Sequence, residues 1–133
     1  MIAELFIYAL LGHLIGDFLL QPKEMALRKS QSGSKGLVIC TIHVLVYTVA
    51  ICAMMGTFSP PIFLGVYVPH WVIDRWSLAD KWCKLIRGRT FKAAYASKDQ
   101  YREFDIAFTC VVYTVVDSTF HLLCLFAVIK YMM

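Results

Sequence analysis

Charge is what this sequence has least of. Only 17% of its 133 residues are Asp, Glu, Lys or Arg, where a soluble domain of this size carries about 25%. A CxxC pair is also absent. The five cysteines (Cys40, Cys52, Cys83, Cys110 and Cys124) are odd in number and widely spaced, which excludes a zinc ribbon and a disulfide scaffold. Met1–Leu10 lacks any Lys or Arg, and Glu4 stands where a secretory leader would be cationic. No small-residue cleavage pattern follows, so the first apolar stretch is expected to be retained rather than removed as a signal peptide. There is no internal repeat, no low-complexity segment and no nucleic-acid-binding motif. The net charge of +4 therefore implies no nucleic-acid partner.

What remains is hydrocarbon, 59% of the chain, gathered into blocks of about 20 residues, enough to cross a ~30 Å bilayer core at about 1.5 Å per residue. Four spans are predicted, at residues 2–20, 37–55, 61–78 and 108–129, making the fold class all-α: a single polytopic four-helix membrane domain over residues 1–133. Gln21-Pro22 closes the first span, because proline disfavours helical geometry in the residue before it. Gly56 closes the second. Pro60 and Pro61 open the third, where their missing N–H groups do no harm, and Pro69 is expected to kink it before His70. The third span is expected to run on as an amphipathic stretch through Ile86.

Basic residues fall on one side of this pattern. The loop 23–35 and the connector 87–101, with their flanks, hold twelve of the 13 lysines and arginines, and only Lys130 lies at the opposite end. The positive-inside rule puts both loops in the cytoplasm and both termini outside, which in a bacterium means a multi-pass inner-membrane protein.

The few ionisable residues inside the spans carry the functional signal. His13/Asp17, His70/Asp74 and Asp117/His121 are each spaced i, i+4, so each pair shares one helix face, and His43 lies in the remaining span. An ionisable residue at membrane depth costs about 2.5–3.5 kcal/mol even on the forgiving insertion scale. Each span thus has one polar stripe, and four helices bury four stripes most economically by turning them inward. The stripes also match in depth, in the cytoplasmic half of the bundle. Gly12 and Gly16 form a GxxxG beside His13 and Asp17, which permits close helix approach there.

Two readings of the cluster differ in chemistry. As a hydrogen-bonded network it recovers little, since intramembrane bonds average about 0.6 kcal/mol each. As a metal site it neutralises its own carboxylates, because imidazole and carboxylate are ligands of zinc, iron and manganese. His13, Asp17, His43, His70, Asp74 and His121 are the candidate ligands for a divalent ion, zinc first, with iron or manganese as alternatives. Four histidines and three aspartates exceed the needs of one tetrahedral ion, which leaves room for supporting hydrogen bonds or a second ion. Asp117 is a candidate ligand, ligand-orienter or general base. Lys29 and Arg75, near the cytoplasmic mouth, are candidates for holding a phosphate headgroup, or else interface anchors that snorkel.

The motif His13-Leu14-Ile15-Gly16-Asp17-Phe18-Leu19-Leu20-Gln21 with Lys29 following, then His43, then His70-Trp71-Val72-Ile73-Asp74, then Asp117 and His121, resembles a bacterial and phage family of small integral-membrane proteins, domain of unknown function 3307. That family's pattern more often has Gln after the last Asp. Ser118 stands there, so Gln21 is the candidate to supply an amide. The resemblance implies an inner-membrane protein with a polar core. It is also similar, more distantly, to small membrane proteins described as metal-dependent hydrolases and to helical zinc phospholipases.

The function expected is metal-dependent hydrolysis of a lipid or lipid-linked substrate. A non-enzymatic alternative is a membrane accessory protein of a phage or host envelope that binds a partner, in which Trp71, Trp76 and Trp82 matter more than the histidines. A cation or proton pathway is the third reading, opposed by the apolar external halves of spans two and three. Membrane lipid and a second copy of this chain are the partners the composition admits.

Overall fold

The computed structural model describes all 133 residues and is all-α, with seven α-helices and one π-helical turn. Helix α1 (Ile2–Leu14) runs without a breaker into the π turn (Ile15–Leu19), closed by the bond from Leu20 N–H to Ile15 O at 2.9 Å. Pro22 then stops the helix. Part of the stretch read as a polar loop is in fact a short helix, α2 (Lys23–Arg28). Glu24 in its first turn and Arg28 in its last suit the helix dipole and pair across one turn. Helix α3 (Ser34–Met55) ends at Gly56, which takes the left-handed conformation at φ +68°.

Helix α4 (Pro60–Arg75) opens on its two prolines and continues through Pro69. The predicted continuation to Ile86 is broken. Ser77 is left-handed (φ 47°, ψ 54°) and a new helix, α5 (Leu78–Arg87), starts beyond it. Left-handed backbone is uncommon for a residue with a Cβ. The break re-aims the chain, so that α5 lies on the last helix instead of extending α4. Its apolar side meets α7, with Trp82 edge-on to Phe120 at 5.7 Å, while Lys81, Lys84 and Arg87 are exposed. Helix α6 (Phe91–Ala96) is capped by Thr90, whose hydroxyl accepts from Ala93 N–H at 3.1 Å. Arg89 ties this connector to α7 (Arg102–Met132) by donating to Asp105 at 2.7 Å and to Thr109 at 2.9 Å.

The long elements close a ring: α1 packs on α3, α3 on α4, α4 on α7, and α7 returns to α1. The GxxxG glycines set the α1–α3 distance. A Cβ on Gly12 would stand 2.9 Å from the Ile51 Cα, and one on Gly16 would stand 3.1 Å from the Tyr47 Cα. One end of the ring's interior is wholly apolar, filled by Ala9, Ile51, Met55, Ile62, Leu125 and Ile129 with their neighbours. Only 27 of 133 residues are buried, and large apolar side chains cover much of the outside. Exposed apolar surface of this extent marks a face that meets lipid or another protein. Three helical stretches, Ile2–Leu19, Ser34–Met55 and Arg102–Met132, are long and apolar enough to cross a membrane.

Candidate metal centre

Beneath the apolar end of the ring, the polar stripes of all four long helices meet. His13, His43, His70, Asp74 and His121 are buried, with Asp17 and Asp117 slightly more open. Four of their atoms form a compact quartet. His43 Nε2 lies 3.1 Å from each of Asp17 Oδ1, His70 Nε2 and Asp74 Oδ2. His70 Nε2 lies 3.0 Å from Asp74 Oδ2 and 3.7 Å from Asp17 Oδ1.

Those separations have a size to be compared with. Four ligands set tetrahedrally at 2.0–2.1 Å from an ion are about 3.3–3.4 Å apart. Neighbouring ligands in a six-coordinate calcium shell are also about 3.3–3.7 Å apart, but calcium takes oxygen ligands rather than imidazole. Five separations within the quartet, at 3.0–3.7 Å, fall near that figure, and its two imidazoles suit zinc, iron or manganese.

Protons do not account for the quartet. A neutral imidazole carries one N–H, so His43 Nε2 can donate to one of its three neighbours at most. Between two Nε2 atoms 3.1 Å apart, one at most is a donor. The shortage reaches further. Asp17 Oδ1, Asp74 Oδ1, His13 Nε2, His70 Nδ1 and His121 Nε2 are all buried and make no hydrogen bond of acceptable geometry. Unpaired buried acceptors cost about 1–3 kcal/mol each. Three sets drawn from these residues could each hold a metal ion: Asp17/His43/His70, His70/Asp74/His121 and Asp17/Asp117/His121.

The surroundings orient these ligands. His121 Nδ1 lies 2.8 Å from the Asp117 carbonyl oxygen, and donation there leaves Nε2 as a bare lone pair, the arrangement found in metal-bound histidines. His13 Nδ1 lies 3.2 Å from Asp17 Oδ2 and 3.1 Å from the Tyr47 hydroxyl. The Tyr47 ring also packs on His70 with centroids 3.7 Å apart. The π turn carries Asp17 into this space, and such turns recur at functional sites. With the Gln21 amide assigned by its surroundings, its nitrogen donates to the Asp17 carbonyl at 3.2 Å, and its oxygen accepts from Lys29 Nζ at 3.0 Å and from His43 at 3.2 Å.

Of the two cations singled out in the sequence, Lys29 enters the centre and Arg75 does not. Lys29 is buried, its Nζ 2.8 Å from Asp74 Oδ2. Burial pulls its ammonium down, but Asp74 and Asp17 outweigh that and hold it above the ordinary lysine range. Arg75 instead donates to the Ser30 carbonyl at 3.3 Å, joining the end of α4 to the segment after α2. Tyr47, one turn from His43 on the polar stripe of the second span, joins the centre as that spacing suggests, and it faces the gap left by Gly16.

A family model matches residues 5–133, nearly the whole chain, and its description is "Protein of unknown function (DUF3307)". The chain belongs to the DUF3307 family. No curated protein and no solved structure matches it. For this DUF3307 protein, then, the geometry of the His/Asp centre is the evidence for function.

Proposed function

We propose that this DUF3307 protein is a bacterial inner-membrane metalloprotein that hydrolyses a lipid or lipid-linked substrate. The observation that carries the metal is the quartet of Asp17, His43, His70 and Asp74, sized for a zinc-class ion and short of protons. Iron and manganese suit the same ligands. A bound divalent ion would supply an acidified water near neutral pH and polarise an ester oxygen. The chain's own groups do the rest. Asp17 and Asp74 hold the ion's charge, Asp117 stands beside the quartet as a further carboxylate within reach of Asp17 and His121, and Lys29 steers an anionic headgroup inward.

The lipid half of the reading rests on an apolar groove of about 480 Å³ between α5 and α7, lined by Ile73, Leu78, Trp82, Leu85 and Phe120, with Lys81 as its one charge. Cys124 borders both this groove and the crevice over His70 and His121, so an acyl chain held in the groove would lie beside the centre. In this reading α4 makes a fourth crossing. Its 16 residues cover about 24 Å, a modest mismatch with a ~30 Å core that local thinning accommodates. The turn at Ser77 then lays amphipathic α5 in the cytoplasmic interface. A through-going ion path is disfavoured by the apolar plug of Ile51, Met55, Ile62, Leu125 and Ile129.

The test is elemental analysis of protein purified without chelator or nickel resin, together with phosphate or headgroup release from lipid vesicles. Stoichiometric metal is expected, and His70→Ala should lose it. Chelator should lower the melting temperature of the wild type and leave His70→Ala unmoved, because an ion that binds only the folded state stabilises it by mass action. Wild type that melts identically with and without strong chelator would sink the metal. Metal without turnover of any lipid would sink the hydrolase and turn attention to partner binding.

A further inference from the structure

The geometry points to a second ion in the same chamber, so that the centre is dinuclear, with Asp74 and Asp17 shared between the two ions and with His121 and Asp117 belonging to the second. This rests on the metal reading above and goes beyond it in number and in the division of ligands.

The quartet uses only one oxygen of Asp74. The other, Oδ1, lies 3.6 Å from His121 Nε2. Both atoms are buried and neither has a hydrogen-bond partner. Their separation is close to the spacing of about 3.3–3.4 Å expected of two ligands on one zinc-class ion. His121 cannot serve the quartet through its other nitrogen, which faces the Asp117 carbonyl at 2.8 Å. Asp17, Asp117 and His121 each bring one ligand atom within 4.8 Å of the other two, a span that admits both adjacent and opposed positions around one ion. Asp17 reaches His43 and His70 with Oδ1, while its Oδ2 lies 3.2 Å from His13 Nδ1. His70 also falls within reach of Asp74 and His121, but it lies closest to His43 and Asp74 Oδ2, so the division assigns His43 and His70 to one ion and His121 with Asp117 to the other, with two carboxylates between them. Shared carboxylates are how paired ions are held about 3.5–4 Å apart.

Charge gives this arrangement a consequence. Three carboxylates against the one ammonium of Lys29 leave two negative charges. One divalent ion neutralises them. A second leaves the chamber positive, which suits an anionic substrate such as a phosphate ester.

Metal content per chain decides the matter, measured on detergent-purified protein stripped and reloaded with Mn²⁺ and, separately, with Zn²⁺. Two ions per chain are expected in wild type, with an exchange-coupled Mn²⁺ spin-resonance signal. His121→Gln and the gentler Asp117→Asn should each bind one ion and show an uncoupled signal. A wild type with one ion, or variants that still bind two, overturns the second site and leaves the first standing. A wild type with none overturns both. Asp117→Asn keeps size and hydrogen-bonding capacity, so it reports even if His121→Gln fails to fold.

Discussion

Lys29 Nζ, 2.8 Å from Asp74 Oδ2 and buried among carboxylates, is the one cation the chain itself supplies to the centre. Lys29→Met should therefore cost more without metal than with it. Removing one partner of a buried ion pair costs about 3–5 kcal/mol, and a divalent ion restores the missing charge. Thermal melting in detergent should show a large loss of stability for this variant in chelator and a smaller one in the metal-loaded protein. Equal losses would mean that Lys29 and the ion do not share the carboxylates. The same residue shows where sequence reasoning stops. The histidines and aspartates are conspicuous because they interrupt apolar runs, so their i, i+4 spacing is visible. Lys29 and Arg75 look alike in the sequence, two cations near the same mouth, and only the fold turns Lys29 inward onto Asp74. Tyr47 is visible one turn from His43, but its packing on His70 and its reach to His13 are made only by the fold.

The element that sets the geometry of the centre is the contact between α1 and α3. Gly16 allows it, since an added Cβ would stand 2.7 Å from Tyr47 Cδ2 and 3.1 Å from its Cα. Overpacking of this kind costs about 1–3 kcal/mol. Gly16→Ala is expected to weaken metal binding as well as stability, because the Tyr47 it displaces packs on His70 and reaches His13. Gly12→Ala, which presses on Ile51 within the apolar end, should lower stability and leave metal affinity near wild type. Melting curves and metal titrations on the two variants separate these outcomes, and equal affinity losses would count against the Tyr47 link. Much of this element pattern was legible: blocks of apolar residues, the stop at Pro22 and the left-handed Gly56 marked their own helices. The break at Ser77 was not, because nothing in Trp76-Ser77-Leu78 demands a turn. It is a tertiary choice, made by docking α5 on α7. Helix α2 was obscured by the serines and glycines after it, although Glu24 and Arg28 one turn apart were a helical signal.

Across the whole molecule, the basic residues of the connectors gather at the end where the centre lies, and the apolar plug occupies the other. In the proposed membrane reading, the positive-inside rule has the centre open towards the cytoplasm. A cysteine placed at exposed Ser32, in a background without native cysteines, should resist an impermeant thiol reagent in intact cells and react after lysis. Labelling before lysis would invert the orientation. The ring closes in chain order, and this bears on how the protein is made. Asp17, His43, His70 and Asp74 all lie before residue 75, on α1 with its π turn, α3 and α4, so every ligand of the quartet has been synthesised before α7 exists. At about 5–20 residues per second, the last helix follows some seconds later, bringing Asp117 and His121. On the proposed metal reading, a nascent chain of three long helices would already carry the ligands for its first ion, so metal capture would become a step of biogenesis, with α7 sealing a centre already loaded.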